Sequence, residues 1–260
     1  MSDPSLIVEK IDRVVRLTLN RPEMKNAMDD TMAEEFAAAV RQIQGDAQAR
    51  ALVITGAGNA FCAGGNLKML QTQLTGTPEV NQAQLLRFYR SFLSVLNLEI
   101  PVIAALRGPA IGAGACLALA CDLRIASVSA RIGFTFIRLG INPGMGAEFL
   151  LTRLIGPARA MELLMTGETI TAERAERIGL VNAVVDDSDL PERAMALAGR
   201  IAAMPALPLR VIKEQVHAAN RQTLDDTLIR AAAFQGICCQ SPNVTEGICA
   251  VMEKRPPKFL

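Results

Sequence analysis

Residues 108–122 read GPAIGAGACLALACD, and this stretch of small residues decides the fold. It follows the apolar run 102–106 and continues to Ala120, so it predicts a buried strand, a tight loop and a helix. Residues 61–68, FCAGGNLK, repeat the arrangement after the apolar run 51–55. Small residues let backbone N–H groups approach a ligand, and a helix start adds the positive end of its dipole. Two such loops aimed at one point predict an oxyanion hole, whereas tight turns alone would explain a single loop.

The rest of the chain alternates strand patterns with helix patterns before it becomes helical after residue 186. Strands that alternate with helices predict an α/β fold with parallel pairing. A polar segment at 72–80, with Gly76 and Pro78, predicts a mobile connection. The predicted strands cover 6–8, 14–19, 51–55, 102–106 and 123–127, and the predicted helices cover 32–44, 82–97, 190–203 and 209–239.

Bulk properties argue against several functions. The chain has 260 residues, and its 27 basic and 26 acidic side chains leave a net charge of +1. This balance gives no electrostatic reason to expect nucleic acid or a membrane surface as a partner. Charged residues interrupt the longest apolar run, so no membrane span is expected. The N-terminal MSDPSLIVEK has neither a basic nor an apolar export region, and we expect a cytoplasmic protein.

The cysteines and the histidine predict no metal site. Six cysteines show no paired-ligand spacing, and His217 is the one histidine. We expect reduced, mostly buried thiols. A Ser-His-Asp triad would need His217, which lies in the polar C-terminal region far along the chain from either glycine-rich loop, so a surface histidine is expected.

The chain resembles the crotonase (enoyl-CoA hydratase/isomerase) family along nearly its whole length. The similarity follows the family's order through LNRP (19–22), KNA (25–27), 51–68, 100–122, LGI (139–141), PG (143–144), 151–182 and EKRPPKF (253–259). The resemblance implies an α/β spiral of ββα units with a helical C-terminal region. It makes residues 1–190 the acyl-CoA-binding core and 191–260 a region for oligomerisation or covering the site. The helical pattern alone supports a simple cap on its own core equally well.

The resemblance also implies the ligand and the assembly. The substrate is an acyl-CoA thioester, so coenzyme A arrives as part of the substrate and no cofactor is tightly bound. The assembly is a homotrimer or a dimer of trimers.

Family positions carry over onto particular residues here. Gly65 and Ala113 match the two oxyanion N–H donors, and Ala113 replaces the usual glycine. A backbone donor needs no particular side chain, so the hole survives if φ is negative at Ala113. Lys25 and Lys68 match cationic positions that bind the phosphates of coenzyme A, against the alternative of two solvated surface lysines. The backbone of Ala63, Gly65 and Leu67 is implied to bind adenine and pantetheine.

The positions where family members carry catalytic carboxylates hold no acidic residue in this chain. Cys116 and Phe136 stand where family hydratases carry two glutamates, and Gly144 stands where some isomerases and a dehalogenase carry a carboxylate. None of the three can serve as the usual acid or base, so syn-hydration by the family mechanism is not expected. We expect Cys116, Phe136, Leu139 and Gly144 to line the acyl pocket instead. A helix start near Cys116 can lower a thiol pKa, although a small buried side chain is the preferred interpretation.

Glu148 is the candidate replacement base. It follows Gly144 by four residues, so both would share one face of a helix that begins near Pro143. The alternative is a surface glutamate near a helix start. Two functions therefore remain: an enzyme that stabilises a thioester enolate without the two glutamates, or a non-catalytic acyl-CoA-binding or assembly protein.

Overall fold

The structure is a computed structural model that describes residues 4–259, without the side chain of Gln73. The strands are β1 Leu6–Ile11, β2 Val14–Leu19, β3 Ala51–Gly56, β4 Val102–Leu106, β5 Pro109–Ile111, β6 Leu123–Ser127, β7 Arg131–Gly133, β8 Thr169–Thr171 and β9 Ala183–Val185. The helices are α1 Asp30–Gly45, α2 Leu67–Gln73, α3 Pro78–Leu93, α4 Ala113–Ala120, α5 Ala147–Ile155, α6 Pro157–Thr166, α7 Ala172–Arg177, α8 Leu190–Ala202, α9 Ala206–Ala218, α10 Leu224–Cys238 and α11 Pro242–Met252. Short 3-10 turns lie at Pro22–Met24, Ser94–Asn97, Thr135–Leu139 and Ala219–Arg221.

The main sheet brings the two glycine-rich loops to one edge. Its strand order is β1-β2-β3-β4-β6-β9, and every pair except β1–β2 is parallel. β3 and β4 are neighbours with Leu52 opposite Val102. Because the carboxyl ends of parallel strands share an edge, the loops after β3 and β4 leave the sheet side by side.

Both faces of this sheet are buried. Alternate residues of β3 enter different cores, with Leu52 and Ile54 on one face and Ala51 and Val53 on the other. The first face packs against α1, α3 and α4, and the second packs against α8. The buried side of α8 carries Leu190 and alanines spaced four residues apart, which lets the helix lie close to the strands.

A small second sheet, which the sequence pattern did not predict, holds the loop after β4. Its order is β5-β7-β8, with β5 parallel to β7 and β8 antiparallel to it. Each strand is three residues long, too short for a recognisable alternation of apolar and polar residues.

The connection predicted over 72–80 is shorter in the structure, where it covers residues 74–77. α2 extends to Gln73 and α3 begins at Pro78, four residues before the predicted start at residue 82. Thr77 caps α3 by accepting the Val80 N–H at 3.4 Å, and proline at the first helical position loses no hydrogen bond. The polar composition reflects this cap and an exposed first turn.

The helix expected to begin near Pro143 begins instead at Ala147. Met145 and Gly146 both have positive φ, at +52° and +67°, which breaks the helical path. Gly144 therefore lies outside α5, and it does not share a helical face with Glu148.

The last helices are much less buried than α8. Neither α9 nor α10 contains a fully buried residue, and α11 contains one, Ala250. Within residues 4–259 no single helix is long and apolar enough to cross a membrane. One bent pair of helices, Leu190–Ala202 with Ala206–Arg221, reaches that length and apolar content when the two helices are counted together.

Candidate active site

The two glycine-rich loops are joined by backbone hydrogen bonds. The Cys62 N–H donates to the Pro109 carbonyl at 3.0 Å, and the Ile111 N–H donates to the Cys62 carbonyl at 2.9 Å. Cys62 thus pairs with Ala110 as a short parallel bridge. This pairing fixes the position of the first loop relative to the start of α4.

Glycine is required where the loops approach each other most closely. Gly64 has φ of +101°, and a Cβ there would lie 2.8 Å from the Ile111 carbonyl oxygen. A Cβ on Gly114 would lie 2.5 Å from the Cys62 carbonyl oxygen. Both distances are shorter than real Cβ contacts, so side chains at these positions would push the loops apart.

The N–H groups of Gly65 and Ala113 at this junction have no protein acceptor within residues 4–259, and neither do the next two of α4, those of Gly114 and Ala115. Ala113 is the first residue of α4, where an N–H has no intrahelical partner. Its nitrogen lies 3.6 Å from the Cβ position of Gly64, the residue before Gly65. Neither Gly65 nor Ala113 has a positive φ. Gly65 and Ala113 therefore supply one unpaired donor from each of the two adjoining loops.

Residues 25–28 support the first loop from its other side. The Ala63 N–H donates to the Lys25 carbonyl at 2.9 Å, and the Met28 N–H donates to the Gly64 carbonyl at 2.8 Å. The Ala63 N–H is therefore occupied, while its carbonyl has no donor in the described chain. Lys25 and Lys68 are both exposed, and neither ammonium group forms an ion pair with any residue that the structure describes. Leu67, at the start of α2, is also exposed.

Asn26 anchors this arrangement, a role that sequence reasoning missed. Its side chain is fully buried; it accepts the Arg21 N–H and donates to the carbonyls of Ala57 and Ala60 at 3.0 and 2.8 Å. Its φ of +57° is a conformation that asparagine adopts more readily than most residues. The sequence feature that could have indicated this role is an asparagine in a short polar turn between a strand and a helix.

Cys116 is a neutral, buried thiol. It is fully buried, and its Sγ lies 3.5 Å from the Gly144 carbonyl oxygen. Burial first, and then the negative charge of Glu148, raise the pKa of Cys116. The lowered pKa that the helix start allowed is therefore wrong, because desolvation outweighs the helix dipole.

Phe136 and Leu139 differ in their surroundings. Phe136 is half-buried, and its Cζ lies 3.9 Å from the Cβ position of Gly112, next to Ala113. Leu139 is 56% exposed, so it contributes little to an enclosed pocket within one chain.

Tyr89 faces Gly144, a contact that the sequence did not reveal. A Cβ on Gly144 would lie 2.5 Å from Tyr89 Oη and 2.9 Å from its Cζ, so no side chain fits there while Tyr89 keeps its position. Burial first, and then Cys116 and Glu148, raise the pKa of Tyr89. The hydroxyl therefore stays protonated at neutral pH.

Glu148 lies in the first turn of α5 and is exposed. Its carboxylate forms no hydrogen bond or ion pair within residues 4–259. Its negative charge is one of the causes that raise the pKa of Tyr89 and of Cys116.

His217 lies away from both loops. Its Nε2 is 2.8 Å from Asp122 Oδ1, and Lys213 Nζ is 2.8 Å from Asp122 Oδ2. Asp122 follows the C-terminal end of α4, about 12 Å along the helix from Ala113. The histidine therefore belongs to a contact between α9 and the sheet edge.

Two cavities also lie elsewhere in the chain. One of about 330 Å³ lies between the end of α1 and the start of α9, and one of about 800 Å³ lies between Leu96–Glu99 and the helices α9 and α10. The glycine-rich loops line neither of them.

Comparison with known proteins agrees with this architecture. The sequence model described as enoyl-CoA hydratase/isomerase matches residues 9–260. A 1,2-epoxyphenylacetyl-CoA isomerase of Escherichia coli K12 is 39% identical, covering 95% of this chain and 94% of its own. A crotonyl-CoA hydratase of Syntrophomonas wolfei is 36% identical, covering 100% and 99%. The solved structure of an enoyl-CoA hydratase from Bacillus anthracis has a TM-score of 0.92 at 34% identity, covering 98% of this chain and 99% of its own.

The chain therefore belongs to the enoyl-CoA hydratase/isomerase family. The predicted crotonase-type α/β fold is confirmed by these structural neighbours and by the mostly parallel sheet.

Proposed function

We propose that this protein is an acyl-CoA-processing enzyme that stabilises a thioester enolate with the N–H groups of Gly65 and Ala113. The observation that supports this proposal most is the pair of unpaired donors on two loops joined at Cys62. Preorganised donors stabilise charge that develops on the carbonyl oxygen, and one such donor contributes about 3 to 4 kcal/mol.

Coenzyme A binds across the first loop in this proposal. Lys25 and Lys68 are exposed and attract its phosphates, while the backbone of Ala63, Gly65 and Leu67 follows adenine and pantetheine. The active assembly is a homotrimer or a dimer of trimers.

The reaction is not the hydration performed by two glutamates. Cys116 is a neutral buried thiol, Phe136 carries no proton, and Gly144 has no side chain. Decarboxylation, isomerisation with an unusual base and thioester hydrolysis each need an oxyanion hole without that glutamate pair. The name of the Escherichia coli relative adds weight to isomerisation. Glu148 is the candidate base, because its carboxylate acts electrostatically on the same pocket residues.

A non-catalytic acyl-CoA-binding or assembly protein is the second candidate. The exposure of Glu148 favours it, because a carboxylate in water is a weaker candidate for directed proton transfer than one held against substrate.

A turnover panel separates the two candidates. Purified protein is incubated with acyl-CoA thioesters, including crotonyl-CoA, in D₂O, and deuterium uptake at the α-carbon is measured with product formation. We expect exchange or turnover of at least one thioester, and crotonyl-CoA hydration roughly a hundredfold or more below that of a glutamate-bearing relative. Glu148→Gln should abolish the exchange and leave binding intact.

Efficient crotonyl-CoA hydration would contradict the argument from the empty acid positions. Binding of thioesters without exchange or turnover of any would leave the binding protein as the function. Full activity of Glu148→Gln would remove Glu148 as the base.

A further inference from the structure

The Tyr89 hydroxyl is a polar group for which the proposed mechanism has no role. Tyr89 is the single tyrosine of the chain, and it packs from α3 against the same apolar core as Phe136. Its Oη has no hydrogen-bond partner within residues 4–259. Tyr89 is half-buried, and a ligand that covers it would have to offer its hydroxyl a hydrogen-bond partner in place of water.

The position of this hydroxyl relates it to the two backbone donors. It contacts Gly144, whose carbonyl accepts from Cys116 Sγ at 3.5 Å. Cys116 lies one helical turn, about 5 Å, from Ala113 along α4. A thioester whose oxygen meets the Ala113 N–H can therefore extend its acyl group along Cys116 towards Tyr89. In that arrangement the hydroxyl would meet the acyl group beyond the thioester carbonyl.

Apolar neighbours make this hydroxyl selective. Phe136 and the neutral thiol of Cys116 carry no charge, and the negative charge of Glu148 adds to burial in raising the pKa of Tyr89, which keeps its proton available for donation. A donor in such a pocket favours a ligand with an acceptor at the right place. It disfavours an otherwise identical ligand without one, because an apolar acyl group would cover the half-buried hydroxyl, which then loses water without gaining a partner.

We propose that Tyr89 is the specificity-determining donor of the acyl subsite, and that the preferred ligand is an acyl-CoA thioester with an oxygen atom beyond the thioester carbonyl. This inference rests on the proposed acyl-CoA function and deepens it by naming the class of acyl group. The absence of a side chain at Gly144 leaves room for the Tyr89 hydroxyl, because a Cβ there would overlap with it.

Calorimetry with matched thioesters tests the proposal without requiring turnover. The ligands are butanoyl-CoA and its 3-hydroxy, 3-oxo and 4-hydroxy derivatives, bound to the wild-type protein and to Tyr89→Phe. We expect at least one oxygenated derivative to bind the wild type roughly tenfold more tightly than butanoyl-CoA, the usual effect of one well-placed hydrogen bond. Tyr89→Phe should reduce that ratio to about one while leaving butanoyl-CoA affinity unchanged.

Phe136→Leu is the matched control, because it alters the apolar packing and removes no donor. It should change the affinity of all four ligands and preserve their ratio. Thermal unfolding of each variant shows whether the fold is retained.

A ratio that persists in Tyr89→Phe, or a wild type that binds all four thioesters equally, would overturn the role of Tyr89 and leave the proposed acyl-CoA function in place. Failure of the wild type to bind any thioester would contradict both.

Discussion

At the scale of single residues, the site depends on positions that lack a side chain. Gly64, Gly114 and Gly144 each lie where a Cβ would meet another part of the molecule at 2.5 to 2.8 Å. The first two allow the loops to join, and the third makes room for Tyr89. In the proposed mechanism the chemistry depends on backbone N–H groups, a phenol and exposed charges.

Charge removal at the first loop tests the coenzyme A site. Lys25→Ala and Lys68→Ala should each weaken acyl-CoA binding several-fold, with a larger loss in the double variant, because both ammonium groups are exposed and without a protein partner in the described chain. The affinity of the wild type should fall as salt rises, and this salt dependence should be smaller in the double variant. Calorimetry over a salt series measures both.

Lys10→Ala is the control for this experiment. Lys10 pairs with Asp46 and lies opposite Val15 near the start of β2, at the other end of the sheet from the loops. The Lys10→Ala variant should bind acyl-CoA with the affinity of the wild type. Unchanged affinity in both loop variants and in their double would contradict the assigned phosphate site.

The sequence could predict those residues of the site whose role depends on the local backbone. The strand-loop-helix context indicated the two loops before the fold was known, and the family resemblance pointed to Gly65 and Ala113 within them. Tyr89 could not, because its contact with Gly144 joins two elements far apart in the chain. The exposure of Glu148 agrees with the alternative that the sequence offered, a surface glutamate near a helix start.

At the scale of elements, strands and helices with strong periodicity were predictable and the short connecting elements were not. β3, β4 and α1 lie where their apolar patterns indicated. β5, at three residues, carries no usable pattern, yet its pairing with Cys62 holds the two loops together. The start of α5 was misplaced because positive φ at Met145 and Gly146 is a backbone property that apolar spacing does not encode.

The junction between α4 and the first loop should be sensitive to one methyl group. Gly114→Ala should destabilise the protein by about 1 to 3 kcal/mol, because its Cβ would meet the carbonyl and the side chain of Cys62. Acyl-CoA binding should weaken with it as the loops separate. Urea unfolding and calorimetry provide the two measurements.

Gly199→Ala is the corresponding control in a helix. A Cβ there meets no atom within 4 Å, and the position is exposed on α8. This variant should be more stable than the wild type by about 0.4 to 1 kcal/mol. Equal stability of Gly114→Ala and the wild type would contradict the close approach of the loops.

The attachment of α9 to the sheet edge should depend on pH through Asp122. Burial alone would raise its pKa, but the hydrogen bonds from His217 and Lys213 and the charge of Lys213 lower the pKa overall. A pKa lowered by folding contributes stability that is complete above the unfolded value of about 3.9. That stability disappears as the pH falls through the folded pKa.

Asp122→Asn should therefore cost about 1 to 3 kcal/mol at pH 7, and it should flatten the loss of stability as the pH falls below about 4. Urea unfolding over this range measures both effects. Asp12→Asn, in the turn between β1 and β2, should retain the wild-type pH profile. An unchanged pH profile in Asp122→Asn would show that the contact with α9 contributes no acid-sensitive stability.

At the scale of the whole molecule, the C-terminal helices expose more apolar surface than a core-facing cap would. Leu224 and Ile229 on α10 and Val251 on α11 are 74, 69 and 79% exposed. Large exposed apolar patches mark association surfaces, which agrees with the proposed trimer or dimer of trimers. The exposure of Leu67 and Leu139 beside the loops is consistent with a site that is completed only on assembly.

The central claim is that two backbone donors polarise the thioester carbonyl, and isotope-edited infrared spectroscopy tests it most directly. Butanoyl-CoA with ¹³C at the thioester carbonyl is bound to the assembled protein, and its C=O stretching frequency is compared with that in buffer. Ala113→Pro removes one N–H at a position where proline suits a helix start.

We predict a shift to lower frequency on binding and a smaller shift in the proline variant, because hydrogen bonds from Gly65 and Ala113 weaken the C=O bond. A bound thioester whose carbonyl frequency matches that in buffer would contradict the account.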